Sequence, residues 1–211
     1  MGSVNDHSAA PTNGSLSAEV LPGFANPILD SQAAFRSIMD AMASPGTLVE
    51  VGRSLPSVEG VDPAALCFLM ALCDQSTSVW LGGDRDQSAL VRYLAFHTGA
   101  PLAKRPDDAA FALIAEPARL PPLVAFSTGD QEYPERSTTV LIQVASLTAG
   151  PPVRLEGPGI RDQATIRPAG LDPAFWSAFA ANRDLYPCGV DVILTSGSEL
   201  LALPRSVIVE I

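Results

Sequence analysis

One segment, Ala64–Cys73, constrains the fold more than any other part of the chain because it is apolar on almost every side. Asp62 and Pro63 precede it as an N-cap and a first helical residue, which predicts a helix. A helix without a polar face has to be covered all round. We therefore expect this helix to lie buried within a domain that has a substantial core.

Helix-like and strand-like segments alternate in the first half of the chain, whereas hairpin-like strands dominate the second half. Thr138–Ser146 is the strongest strand candidate, and Val153–Glu156 is predicted to pair back onto it as a hairpin. Further strands are predicted at 47–51, 78–81, 110–115, 190–195, 200–203 and 207–211, of which 190–195 and 200–203 form another hairpin. Further helices are predicted at about 86–98 and 172–182, the latter starting at Asp172-Pro173. This mixture predicts a three-layer α/β/α sandwich around a mixed sheet.

The first predicted helix, 30–43, carries both a capping residue and an apolar stripe. Asp30 is suited to the N-cap position. Phe35, Ile38, Met39 and Met42 recur at the spacing of one helical face, and we expect that face to meet the core.

Residues 21–211 are predicted to form a single α/β domain, and residues 1–20 a disordered tail rich in Ser, Asn, Gly and Ala. The tail has neither the basic start nor the apolar run of a signal peptide. Nowhere does the chain reach the length of apolar sequence that a membrane span needs. A cytoplasmic protein without a membrane segment is therefore expected.

The ionisable residues exclude several classes of function. Lys and Arg number 13 against 23 Asp and Glu, a net charge of −10, which disfavours nucleic acids and anionic membranes as partners. Lys104, the single lysine, lies in a polar stretch and offers only one position for pyridoxal chemistry. Cys67, Cys73 and Cys188 lack the spacing of a zinc site, so free thiols and no bound metal are expected.

Candidate chemistry is sparse, and each candidate has a structural alternative. His97 ends a predicted helix, where it suits either a pocket rim or a cap. Gly157 and Gly159 could present backbone N–H groups to an anion or simply form a tight turn. Arg36 and Arg205 suit either anion binding or an ion pair, and the latter is the commoner role of such residues.

Several segments in a fixed order resemble one family. They are Asp30–Gly46, Phe96–Leu102, Ser127–Gly129 followed by Tyr133–Glu135, Leu155–Ile160, Tyr186–Thr195 and Leu203–Arg205. In this order and spacing they resemble the PhnH subunit family of the bacterial carbon–phosphorus lyase system. The resemblance covers about residues 21–211.

The resemblance implies a role in phosphonate degradation. The family joins PhnG, PhnI and PhnJ in a core complex that attaches an alkylphosphonate to the ribose C1 of ATP with loss of adenine. The product is a ribose 1-phosphonate 5-triphosphate. The resemblance also implies a homodimer whose fold is similar to the large domain of pyridoxal-phosphate-dependent transferases, without that cofactor or any other.

The resemblance also brings particular residues into the matched motifs. Those suggested as ligand-binding or catalytic are His97, Thr98, Arg36, Gly157, Gly159 and Arg205, and those suggested as interface or structural residues are Asp30, Pro134, Glu135 and Asp191. One departure concerns Ala95, which replaces an Arg common in the family. If that Arg contributed to an anion site, Arg92 is the nearest substitute, about one helical turn back.

Two main hypotheses follow for the function. In the first, the chain is a binding and assembly subunit of the complex that shares a pocket for a phosphonate or a nucleotide. In the second, it is a catalytic subunit that performs nucleotide or phosphoryl chemistry with His97 and either Arg36 or Arg205. A third hypothesis, a degenerate pyridoxal enzyme, depends on Lys104.

Overall fold

The computed structural model describes residues 21–210, which form four α-helices and nine β-strands. The helices are α1 (Pro27–Ala43), α2 (Pro63–Leu72), α3 (Ser88–His97) and α4 (Pro173–Arg183). The strands are β1 (Val49–Glu50), β2 (Val79–Gly82), β3 (Phe111–Ile114), β4 (Thr139–Gln143), β5 (Val153–Glu156), β6 (Ala164–Ile166), β7 (Asp191–Ser196), β8 (Glu199–Leu203) and β9 (Ile208–Glu210). The predicted disordered tail, 1–20, lies outside the described residues.

A six-stranded mixed sheet with the order β1-β8-β7-β4-β3-β2 forms the centre of the molecule. The neighbours β7, β4, β3 and β2 run parallel, whereas β8 pairs antiparallel with both β7 and β1. The predicted hairpin of β7 and β8 is confirmed. The mixed α/β class with a partly parallel sheet is confirmed as well.

The predicted pairing of β5 with β4 is wrong. Both edges of β4 are occupied, by β3 and by β7, so no hydrogen-bonding edge is left for β5. Pro151 and Pro152 also lack the backbone N–H that a ladder needs. Instead, β5 lies between β6 and β9 in a separate three-stranded antiparallel sheet.

Helix α1 starts one turn earlier than its sequence predicts. Asn26 is the N-cap and accepts the Leu29 N–H through Oδ1 at 3.1 Å, while Asp30 accepts the Asn26 N–H at 2.8 Å. Asp30 therefore completes a reciprocal cap and is not itself the N-cap. The buried face is set by Ala34, Ile38 and Ala41, whereas Phe35 and Met39 are each 45% exposed, so the predicted stripe is wrong at those two positions.

Alternating side chains of the central sheet separate two cores. Leu141 and Ile193 face one core, together with α1, α2 and α3, and helix α2 is buried there as predicted. Val140 and Ile142 face the other core, which is covered by α4 and the three-stranded sheet. The layers thus differ from a plain α/β/α sandwich, because a second sheet shares the outer layer with α4.

The chain leaves the carboxyl ends of β2 and β3 towards opposite faces of the sheet. After β2 it forms α3, whose Leu90 and Leu94 enter the first core. After β3 it forms a short 3₁₀ segment, Leu123–Ala125, and Leu123 enters the second core. Such divergence opens a crevice at this edge of an α/β sheet. None of the helices within 21–210 has both the length and the apolar character to cross a bilayer.

Candidate functional site

A buried ion pair joins Asp191 and Arg205, two of the residues singled out from sequence. Asp191 starts β7 and Arg205 follows β8. The Arg205 Nη2 and Nε groups donate to the two carboxylate oxygens at 2.6 and 3.1 Å, and the Arg205 backbone N–H donates to Oδ1 at 2.8 Å. The two side chains are only 13% and 14% exposed, so this pair lies largely out of solvent.

The remaining donors of the Arg205 guanidinium also bind the protein. Nη1 donates to the carbonyls of Pro134 at 2.8 Å and Pro187 at 3.3 Å, and Nη2 donates to the Ser137 hydroxyl. Arg205 thereby ties the 134–137 and 186–187 loops to the amino end of β7. This arrangement supports the ion-pair alternative, because a bound anion would have to displace existing partners. Anion binding by Arg205 stays a prediction.

His97 holds the first described residues of the chain. Its ring Nε2 lies 2.9 Å from the carbonyl oxygen of Leu21, and Tyr93, one turn earlier on α3, donates its hydroxyl to the Pro22 carbonyl at 3.0 Å. Thr98 caps the end of α3, since its hydroxyl donates to the Leu94 carbonyl at 2.8 Å. His97 and Tyr93 therefore form a clasp, by which we mean the two hydrogen bonds that hold Leu21 and Pro22 against α3.

His97 and Arg205 are not brought together in one site. The segment after α3 pairs with the start of β2, where the Val79 N–H donates to Pro101. Arg205 lies at the start of β7, and β4 and β3 stand between β7 and β2 in the sheet. Three strand spacings amount to about 14 Å. A His97–Arg205 centre would therefore need a further subunit or a rearrangement.

Gly157 and Gly159 form a tight turn packed against α1. Both have positive φ values, 132° and 83°, and the Ile160 N–H donates to the Gly157 carbonyl at 3.1 Å. A side chain at Gly159 would overlap the carbonyl of Ala43, at the C-terminus of α1. Helix C-termini repel anions, so the surroundings favour the turn over the anion site.

The other candidates lie at the surface. Arg36 on α1 and Glu135 in the 3₁₀ segment Pro134–Arg136 are both exposed, as is Lys104 in the loop after α3. Exposure leaves Arg36 and Glu135 accessible to a partner, and their roles stay predictions. Lys104 lines an open cavity of about 350 Å³ but is itself exposed, whereas a Schiff-base lysine requires a pocket that shields it from solvent.

A second polar group lies at the carboxyl ends of β4 and β7, and it is not apparent from the sequence, where Asp62 is expected only as a helix cap. The Asp62 carboxylate makes no cap bond and instead accepts the Thr195 hydroxyl at 3.1 Å. Gln143 accepts the Asp62 N–H at 2.7 Å and donates to the Gly60 carbonyl at 3.0 Å. Burial raises the pKa of the Asp62 carboxyl. The hydrogen bonds from the Thr195 hydroxyl and the Gly197 backbone lower this pKa, but by less than burial raises it. The only sequence signal was a polar residue near the end of each of two strands.

Beside this group lies the crevice at the carboxyl ends of β2 and β3, a cavity of about 550 Å³. It is lined by the 59–61 loop, the 85–90 turn that opens α3, Arg92, Leu113 and Ala115. Arg85 is paired with Glu116, and Asp86 accepts the Ser88 N–H at 2.9 Å. Arg92, the substitute cation noted from sequence, thus lines a cavity rather than the surroundings of His97.

Comparison with known proteins identifies the family. The model of the family described as "Bacterial phosphonate metabolism protein (PhnH)" matches residues 22–210, almost the whole chain. The chain belongs to the PhnH family. The resemblance noted from the ordered motifs is thereby confirmed.

Two curated relatives agree with this PhnH assignment. The chain is 37% identical over 183 residues to the "Alpha-D-ribose 1-methylphosphonate 5-triphosphate synthase subunit PhnH" of Rhizobium meliloti strain 1021, covering 87% of this chain and 92% of the relative. It is 31% identical over 175 residues to the "Putative C-P lyase subunit protein HtxG" of Stutzerimonas stutzeri, covering 83% of each. This PhnH-family chain is thus a subunit of a carbon–phosphorus lyase complex of phosphonate metabolism.

Proposed function

We propose that this chain supports the transfer of an alkylphosphonate to the ribose C1 of ATP, as a subunit that works with PhnG, PhnI and PhnJ. The observation that carries the proposal is the 37% identity to a relative named as a subunit of the ribose 1-methylphosphonate 5-triphosphate synthase. The match covers 92% of that relative's length. A cytoplasmic homodimer, with the fold of the large domain of pyridoxal-dependent transferases but without their cofactor, belongs to the same proposal.

The contribution of this subunit is assembly and binding rather than self-contained catalysis. Two facts support this. All three guanidinium nitrogens of Arg205 donate to the protein itself, and Nε2 of His97 is engaged by the Leu21 carbonyl. In addition, Ile28, Phe35 and Met39 lie seven and four residues apart along α1 and are 79%, 45% and 45% exposed. Apolar side chains repeated on one helix face are suited to subunit contact.

Co-expression with PhnG, PhnI and PhnJ tests the proposal. We expect the chain to co-purify with them, and omission of this subunit to abolish formation of the ribose 1-phosphonate 5-triphosphate from ATP and methylphosphonate. Elution of the chain by itself from that mixture, with product formation unaffected, would contradict the proposal.

A further inference from the structure

The crevice at the carboxyl ends of β2 and β3 has the location and size of a ligand site. It opens where the chain leaves the two strands towards opposite faces of the sheet, which is where open α/β sheets bind ligands. Its volume of about 550 Å³ is in the range of pockets that hold small organic molecules. The crevice is separate from the Asp191–Arg205 ion pair, which lies at the amino end of β7, and the ordered sequence motifs do not explain it.

The crevice wall contains a buried acceptor without a partner. Gln87 donates from Nε2 to the Gly82 carbonyl at 3.1 Å, while its Oε1 atom is fully buried and accepts no hydrogen bond within residues 21–210. A buried polar atom without a partner costs free energy, which a ligand can recover. Gln87 is part of the crevice lining, and the terminal torsion of a glutamine is soft, so rotation of its amide can present Oε1 to a ligand there. A ligand that donates from an amino or hydroxyl group suits this wall.

The start of α3 supplies the opposite property, a group of donors. Ser88, Ala89 and Leu90 all line the crevice. The first N–H groups of a helix have no partners inside the helix, and Gln87, at the N-cap position, makes no side-chain cap. Asp86 accepts only the Ser88 N–H, which leaves the next two amides. Together with Arg92 they favour an anion at this end.

The rest of the lining is apolar apart from Glu59 and Arg85. Val61, Leu90 and Leu113 offer a surface for a planar or aliphatic group. Glu59, exposed at the rim, is an acceptor that suits sugar hydroxyls. Of the arginines in the lining, Arg85 is already paired with Glu116, which limits the negative charge the crevice can hold.

We propose that this crevice binds a nucleoside monophosphate. The phosphate would lie at the start of α3 beside Arg92, the base against the apolar wall with its amino group at Gln87, and the ribose near Glu59. Because Arg85 and Glu116 neutralise each other, Arg92 is left in the lining with two carboxylates, those of Glu59 and Asp86, so a triphosphate binds more weakly than a monophosphate. The inference goes beyond the proposed function, since it concerns the isolated chain and a nucleotide other than the ATP consumed.

Calorimetric titration of the purified full-length chain with AMP, ATP, ribose 5-phosphate and inorganic phosphate tests the proposal. We expect AMP to bind at one site per chain, and each of the other three at least about tenfold more weakly. Equal affinity for AMP and inorganic phosphate would show a simple anion site and overturn the proposal. An absence of AMP binding, or tighter binding of ATP than of AMP, would overturn it as well.

Three variants assign the effect to the crevice. Arg92→Ala is expected to weaken AMP binding about tenfold or more, and Gln87→Met to weaken AMP but not inorganic phosphate. Arg53→Ala is the matched control, because Arg53 is an exposed arginine paired with Glu50 outside the crevice lining. A thermal melt of each variant confirms folding. AMP affinity unchanged in both crevice variants would overturn the proposal, while co-purification with PhnG, PhnI and PhnJ tests the assembly role independently.

Discussion

The Asp191–Arg205 ion pair is the buried charge pair on which the loops at one end of the sheet depend. Removing one partner of such a pair strands the other charge in a poorly solvated place. We therefore expect Arg205→Ala to lower the free energy of unfolding by about 3 kcal/mol in urea denaturation. Arg53→Ala breaks a pair whose side chains are 78% and 47% exposed, and it should cost less than about 1 kcal/mol. Equal losses would contradict a structural role for Arg205.

His97 gives a second prediction at the residue scale, because its clasp and its suggested catalytic role have different consequences. We expect His97→Ala to free residues 21–24, seen as faster proteolytic cleavage within this segment, since the bond to the Leu21 carbonyl is lost. Growth on methylphosphonate should persist as long as the complex assembles. Loss of growth with an intact complex would favour the catalytic hypothesis instead.

Asp62 makes stability depend on acidic pH. Since burial raises its pKa, the folded chain holds a proton that the unfolded chain releases between the ordinary aspartate pKa and the raised value. Stability therefore falls as pH rises through this window. Asp62→Asn removes the ionisation. Across this pH window, the free energy of unfolding of the variant should therefore rise relative to that of the wild type, and above the window the difference should stay constant. Urea melts over an acidic pH series measure this, and curves parallel throughout would contradict it.

At the scale of elements, the apolar face of α1 predicts the place of subunit contact. Ile28→Asp introduces a charge in the first turn of α1, where an acidic residue does not harm the helix. We expect this variant to keep its melting temperature but to lose co-purification with the other subunits. Val124 is also 79% exposed, in the 3₁₀ segment associated with the other core, so Val124→Asp is the matched control. Equal recovery of both variants in the complex would exclude α1 as the contact.

Elements whose determinants are local could be predicted from sequence. The Asp-Pro starts of α2 and α4 and the β7–β8 hairpin depend on neighbouring residues, and all three were predicted. The partners of β5 could not be predicted, because they depend on which strands flank β4. The exposure of Phe35 and Met39 depends on how α1 rests on α2, which the helical period alone does not determine.

At the scale of the whole molecule, the cysteines report on global unfolding. Burial raises the pKa of Cys67 to about 11 and that of Cys73 to about 12, whereas Cys188 is only half-buried. Thiolates are the reactive form, so iodoacetamide near neutral pH should modify Cys188 alone in the native chain and all three cysteines in guanidinium chloride. Mass spectrometry counts the adducts. Rapid native labelling of Cys67 would show that its core opens locally.

The candidate site could be predicted only in part, and the reason is its construction from distant segments. Asp191 starts β7 and Arg205 follows the neighbouring strand β8, and both could be suspected from their motifs. The crevice combines Glu59, Gln87, Arg92 and Leu113, which come together only once the order of the parallel strands is known. No spacing in the sequence encodes that order.

The order of strands in the central sheet also bears on how the chain emerges from the ribosome. Strands β1 and β2 are synthesised first, yet they form the two opposite edges of the sheet and do not pair with each other. Their partners, β8 and β3, follow later in synthesis. The nascent amino-terminal half, with its apolar helix α2, therefore waits without a sheet to cover it.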